Sequence, residues 1–170
     1  FDNIDSTILA GLPTDTPESF KNSLDLIVRL NAECITVHTL CMKRASRLTT
    51  EGVTLDLQQA RDAREMLAYT QNILGQNEYI PYYMYRQSRM VGNIENVGWS
   101  KKGFESLYNV YVMDETHTIL ACGSGGVTKL KRNNPDYLER IFNFKYPYEY
   151  IDRFDELIQR KSGIMQFYGQ

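Results

Sequence analysis

No apolar run in this 170-residue chain approaches the roughly twenty residues that a membrane-crossing helix needs. No signal peptide is visible either. Charge of one sign is also missing. Lys and Arg total 19 against 21 for Asp and Glu, a net charge of −2 that argues against a mainly electrostatic nucleic-acid binder. A small basic cluster (Lys129, Lys131, Arg132) reads as a solvated strand end rather than a polyanion site. Cysteine is scarce: Cys34, Cys41 and Cys122 include no Cys-x-x-Cys pair, which removes a zinc ribbon and a redox dithiol. Three cysteines without a disulfide pattern point to a reducing compartment, so a cytoplasmic protein is expected. His38 and His117 lie far apart, and no metal site is expected in this chain. No local constellation joins a nucleophile to a base or pairs two carboxylates.

What is present has the texture of a globular α/β protein. Residues 5–10 are short or β-branched and end at Gly11, as a buried parallel strand would. Thr16 is a good N-cap, and Pro17 fits the first helical position because its missing N–H is not needed there. Phe20, Leu24, Ile27 and Val28 repeat at helical spacing, and Leu30 and Asn31 close that helix. Residues 34–40 read as the next strand. Strand, helix and strand of this length imply a right-handed parallel crossover. One such unit cannot bury a parallel sheet on both faces. The chain also starts at Phe1 and enters a strand almost at once, so the expectation is the C-terminal part of a longer protein.

Residues 43–52 read as a polar connector, and residues 54–74 as a second helix. Its expected buried face is Leu57, Ala60, Arg64, Leu67, Gln71 and Leu74, with Gly75 just past its end. Tyr79, Tyr82, Tyr83 and Tyr85 crowd a strand-like segment whose Pro81 suggests an edge or a strand start. Residues 93–103 look like an ordered loop. Residues 107–113 and 118–122 read as a β-hairpin, 127–130 as another strand and 140–144 as a short one. From Pro147 a last helix places Tyr150, Ile151, Phe154, Leu157 and Ile158 on one face. The change of texture near residue 45 is the candidate domain boundary, dividing 1–44 from 45–170.

Three segments invite a functional reading. Gly11-Leu12-Pro13 sits at the carboxyl end of a parallel strand, where α/β sheets and barrels keep ligands, and 39–41 lies at the same end of the neighbouring strand. A tight turn before an N-cap explains the local pattern of Gly11-Leu12-Pro13 as well, and by itself that pattern favours the turn. Cys122-Gly123-Ser124-Gly125-Gly126 resembles a phosphate loop only superficially. A strand rather than a helix follows it, and Gly-Lys-Ser/Thr is missing, so the glycines are read as a bend or a close backbone approach. The tyrosines and Trp99 either line a flat aromatic ligand or, the favoured reading, pack on a sheet.

Several blocks in order resemble the oxygen-independent coproporphyrinogen III oxidases (dehydrogenases) and their relatives among the radical S-adenosylmethionine (SAM) enzymes. They are the strand into Gly11-Leu12-Pro13 with Thr16-Pro17-Glu18-Ser19-Phe20; Ile35-Thr36-Val37-His38-Thr39-Leu40-Cys41-Met42-Lys43-Arg44-Ala45-Ser46; Pro81-Tyr82-Tyr83-Met84-Tyr85-Arg86-Gln87; Gly92-Asn93-Ile94-Glu95-Asn96-Val97-Gly98; Leu107-Tyr108-Asn109-Val110-Tyr111; the glycine segment 121–129; and Tyr150-Ile151-Asp152-Arg153. The resemblance implies the end of a partial (β/α) TIM-type barrel followed by a smaller α+β C-terminal domain. It implies SAM and a [4Fe–4S] cluster as cofactors, a tetrapyrrole substrate, and an electron donor protein or reductant as partner. The implied reaction is oxidative decarboxylation of porphyrinogen propionates to vinyl groups. A haem-binding relative without that activity, and a free-standing binding domain, are the alternatives. The family's Cys-x-x-x-Cys-x-x-Cys is absent from this chain, so no catalytic residue or metal ligand is assigned here and the fragment alone is expected to be inactive. By resemblance, Thr7 stands where the family usually has an Asp that contacts SAM; Thr can hydrogen-bond but brings no charge. Leu9 matches an apolar contact to the same ligand, and Cys41 a position whose backbone touches it.

Overall fold

A computed structural model describes residues 4–43, 46–54, 56–87, 90–132 and 137–169. The chain forms two compact units, Phe1–Leu107 and Tyr108–Gln170.

The first unit is built on a four-stranded sheet. Strand β1 (Asp5–Ala10) leads through helix α1 (Pro17–Arg29) to β2 (Cys34–Thr39), as the sequence predicts. Thr16 caps α1 by accepting from the Ser19 N–H, and the Ser19 hydroxyl returns a bond to the Thr16 N–H. Pro17 starts the helix, and Asn31 leaves it in the left-handed region at φ 59°. Strands β1 and β2 are parallel and in register from Asp5↔Cys34 to Ala10↔Thr39. The connector after them holds one short helix, α2 (Arg47–Thr50), capped by Ser46. Helix α3 (Leu57–Gln76) opens with a capping box between Asp56 and Gln59. Strand β3 (Ile80–Tyr85) and β4 (Asn96–Ser100) complete the sheet in the order β1-β2-β4-β3, with β4 antiparallel to both neighbours. Pro81 therefore lies in an edge strand.

Three expectations fail in this unit. Residues 93–103 are not a loop throughout, because β4 runs through their middle. Its Asn-Val-Gly-Trp-Ser does alternate, but Gly98 masks the pattern. Of the expected α3 face Leu74 is buried and Ala60 and Leu67 pack at the edge of the cores, but the buried centre is Ala63, Met66 and Thr70, and Leu57 is 80% exposed. The two stripes are neighbours on the helix, and small Ala63 packs beside Gly11 and the Leu40–Val91 cluster. Gly75 stays helical, and the left-handed turn falls at Glu78 (φ 64°).

Helices α1 and α3 cover one sheet face. Ile8, Ala10, Ile35, Val37, Val97 and Trp99 from the strands pack there with Phe20, Leu24, Met66 and Leu74 from the helices. A second apolar cluster, Leu40, Ala63 and Val91, lies at the carboxyl ends of β1 and β2.

The second unit is smaller. Residues 107–113, expected as a strand, form helix α4 (Leu107–Asp114), and 118–122 makes only one bridge, Ile119↔Lys129. Tyr and Val favour strands, but a strand needs a partner for its backbone groups and a helix satisfies them internally. Strands β5 (Val127–Lys131) and β6 (Leu138–Phe142) pair antiparallel, the second shifted two residues from expectation. The last helix is two: α5 (Pro147–Asp152) and α6 (Phe154–Tyr168), broken at Arg153, whose guanidinium sits 4.2 Å from the Phe144 ring centroid. Of the face expected there, Leu157 is buried, while Ile151, Phe154 and Ile158 are exposed. The glycine segment is clasped by the unit's own groups. Gly125 N–H donates to the Phe144 carbonyl at 2.7 Å, Asn143 Nδ2 donates to the Gly123 carbonyl at 2.8 Å, and Lys161 Nζ to the Ala121 carbonyl at 2.9 Å. Gly123 and Gly125 have φ of 86° and 72°, which glycine adopts without strain. Strand β5 follows, so the segment is an architectural bend.

Candidate functional site

Register places a second set of residues on the sheet face away from α1 and α3. Thr7 and Leu9 of β1 lie beside Thr36 and His38 of β2. Thr36 pairs with Gly98 of β4, and β3 supplies Tyr83 beside Gly98 and Tyr85 beside Asn96. This face is polar and aromatic where the other is apolar. A β-bulge between Pro81 and Tyr83 keeps both tyrosines on it.

Tyr83 and Tyr85 cross over β4 to reach β2. The Tyr83 hydroxyl lies 3.3 Å from Thr36 Oγ1, and the Tyr85 hydroxyl 3.2 Å from His38 Nδ1. The two rings are stacked, 7° from parallel with centroids 6.2 Å apart. Their path requires Gly98: a Cβ there would stand 1.8 Å from Tyr83 Cε1. Asn96, buried beneath, accepts the Thr39 N–H at 2.7 Å through Oδ1. Burial raises the pKa of both tyrosines and lowers that of His38, so all three are held neutral at ordinary pH. The result is an uncharged, preorganised hydrogen-bonding surface.

The expected site residues fall around this face. Thr7 is exposed in the middle of β1. Leu9 shares its face, is half-buried and packs toward the Leu40–Ala63–Val91 cluster. Cys41 follows the end of β2, is half-buried and bridges to Met90. At that same end Gly11 has φ 82°, and a Cβ there would sit 3.4 Å from that of Ala63. The start of α1 beside it is capped by Thr16 and Ser19. Thr36, His38 and Asn96 were not among the assigned site residues, and Tyr83 and Tyr85 were read as sheet packing in preference to a ligand lining. Period-two spacing of Thr36 with His38 and of Tyr83 with Tyr85 is the signal that could have found them.

Among the described residues no group of three or more His, Cys, Asp or Glu could hold a metal ion. Cys34 is buried with its thiol 2.7 Å from the Phe104 carbonyl, and burial pushes its pKa up to about 11. The described residues therefore do not fit the thiolate set of a [4Fe–4S] cluster. No helix among them is long and apolar enough to cross a membrane.

A parallel β–α–β unit with helices on one face and a polar lining on the other is the architecture of an α/β barrel wall. Comparison with solved structures gives the class of fold, that of part of a larger α/β protein. The chain matches coproporphyrinogen III oxidase (HemN) from Escherichia coli, described as a radical SAM enzyme, with a TM-score of 0.55 over 92% of this chain and 35% of that one, at 16% identity. Comparison with curated sequences gives the particular relative. The chain is a homologue of the oxygen-independent coproporphyrinogen-III oxidase-like protein HemZ of Bacillus subtilis (strain 168), 34% identical over 164 residues, which is 96% of this chain and 33% of that protein. The chain thus spans about a third of the length of each protein it matches. No protein-family model matches it.

Proposed function

We propose that this chain is the C-terminal part of a radical SAM enzyme of the coproporphyrinogen III dehydrogenase type, with the polar sheet face as one wall of its reaction chamber. The observation that carries the reading is the 34% identity to the oxidase-like protein along nearly the whole chain. The polar lining opposite a helix-covered apolar face supports it, because a barrel wall needs both. In this reading residues 1–44 end the barrel and 45–170 are family-specific. SAM lies against Thr7 and Leu9 near the backbone of Cys41, and the cluster's ligands come from outside the described residues. The substrate is a tetrapyrrole bearing propionates, the electron comes from a protein donor or chemical reductant, and the setting is the cytoplasm.

What this chain's residues would do is bind and orient. The Thr7 hydroxyl offers a hydrogen bond, Leu9 an apolar contact, and the tyrosine pair a rigid wall that excludes water. The test is an anaerobic assay of the complete gene product, reconstituted with iron and sulfide and supplied with SAM, a reductant and coproporphyrinogen III. Loss of propionate carboxyls as CO2 with SAM cleavage is the expected result. Haem binding without turnover would assign the protein to a carrier instead, and the absence of both turnover and haem binding would overturn the reading.

A further inference from the structure

Helices α1 and α3 cover the apolar sheet face but do not reach over β3, whose Met84 is 60% exposed. An open groove of about 240 Å³ remains between α3 and the β3–β4 end of the sheet. Val37, Val97 and Trp99 line its floor, and Leu67, Met84 and Ile94 its sides. Its polar members differ in how well they are satisfied. The Thr70 hydroxyl donates to the Met66 carbonyl at 2.9 Å, and Glu95 faces Arg86 at 3.8 Å. Arg64 and Gln71 line the same groove and have no hydrogen bond or ion pair among the described residues. Both belong to the α3 stripe that the sequence marks for burial, and Leu67 between them packs on the sheet core.

We propose that this groove binds a small monocarboxylate with an unbranched apolar chain, the chain lying on the Val37–Val97–Trp99 floor and the carboxylate on Arg64. The volume sets the size. An apolar cavity of about 150 Å³ holds benzene, so the groove suits a ligand of roughly ten non-hydrogen atoms and excludes anything as large as a tetrapyrrole. The floor sets the chain, because only apolar surface gains by covering Val97 and Trp99. The rim sets the head group. Glu95 and Arg86 offset one another, which leaves Arg64 as the uncompensated charge. A guanidinium meets a carboxylate through two parallel hydrogen bonds and repels an ammonium. The groove lies on the sheet face opposite the polar wall, so this site stands apart from the one proposed there.

Trp99 is the chain's one tryptophan, so its fluorescence reports on the groove it lines. Octanoate, hexanoate, octanol and octylammonium are titrated separately against the chain. Octanoate is expected to change the Trp99 emission saturably and to bind roughly tenfold more tightly than hexanoate, which lacks two methylenes. It should bind about threefold more tightly than octanol, with octylammonium weaker than both. Arg64→Gln brings octanoate down to the affinity of octanol. Ala68→Leu, at an exposed α3 position that lines the groove, fills part of the space and weakens octanoate and octanol alike by about tenfold, while circular dichroism confirms that the helix is kept. No saturable response, equal affinity for octanoate and octylammonium, or binding untouched by Ala68→Leu overturns the inference. Each of these outcomes leaves the functional reading standing, because none involves the polar face.

Discussion

The two faces of the four-stranded sheet come from the same strands and differ by one residue of register. Ile35 and Val37 point into the helices; Thr36 and His38 point away from them. On the first face burial of apolar surface does the stabilising, and the side-chain hydrogen bonds, Tyr69 to Asp25 and Lys21 to Glu65, join the two covering helices rather than the strands. On the second, Thr36 and Asn96 are as buried as many core residues, yet each is satisfied by a named partner. The difference teaches where stability and chemistry are kept. A face that must bind something polar cannot also be the oily face that holds the fold together, so the strands divide the two tasks by parity.

The largest test of that division is a truncation on each side. Ile35 is fully buried between strands and helices, so Ile35→Ala is expected to lower the free energy of unfolding by about 2–5 kcal/mol. Thr36→Val keeps the volume and removes one hydroxyl whose partner, Tyr83, is half-buried. A loss of about 1 kcal/mol is expected there. Urea denaturation of both variants checks the ranking, and a reversed order would break the comparison.

A smaller effect is expected at the place where the polar face depends on backbone. Gly98→Ala puts a methyl group into the space of the Tyr83 ring, so the ring must swing off Thr36. The expected cost is about 1–3 kcal/mol. The same substitution made in a Tyr83→Leu background should cost clearly less, and the coupling is read as a double-mutant cycle. Additive costs would mean that Gly98 serves the strand itself rather than the ring above it.

These residues also mark what was readable in advance. The β1–α1–β2 unit was legible because its signals are local: Gly11 ends the strand, Thr16 and Pro17 start the helix, and Phe20 and Leu24 set its face. Strand β4 was not, since Gly98 reads as a loop residue until the ring of Tyr83, fifteen positions earlier by number, is known to lie on it. Helix α4 was misread because strand propensity cannot report that no partner strand is at hand. The division of α5 from α6 was invisible for a similar reason: Arg153 leaves the helix where it meets Phe144, a contact made across the unit. Thr7, Leu9 and Cys41 were named through family resemblance. The tyrosine–histidine–asparagine set exists only because β4 inserts between β2 and β3, and Asn96 meets the Thr39 N–H across 57 residues.

The subtlest consequence concerns acid. Burial lowers the pKa of His38 below its ordinary 6.5, with Lys43 adding to the fall, Asp5 opposing it and the Tyr85 hydroxyl bonded to Nδ1. As pH falls through 6.5 the unfolded chain takes up the proton first. Its extra proton makes stability rise with pH in that window, so the neutral ring's contribution is complete above pH 6.5 and is lost as the solution becomes more acidic. Glu33, Glu115 and Glu156, whose pKa values are lowered by hydrogen bonds and ion pairs, follow the same direction but only at and below about pH 4.5, their ordinary value. Urea melts between pH 7.5 and 5 therefore isolate the histidine. The wild type is expected to lose stability across that interval while His38→Gln, which has no proton to gain, stays closer to level. Equal slopes would place the cause elsewhere and would remove His38 from the set of groups that the polar face holds neutral.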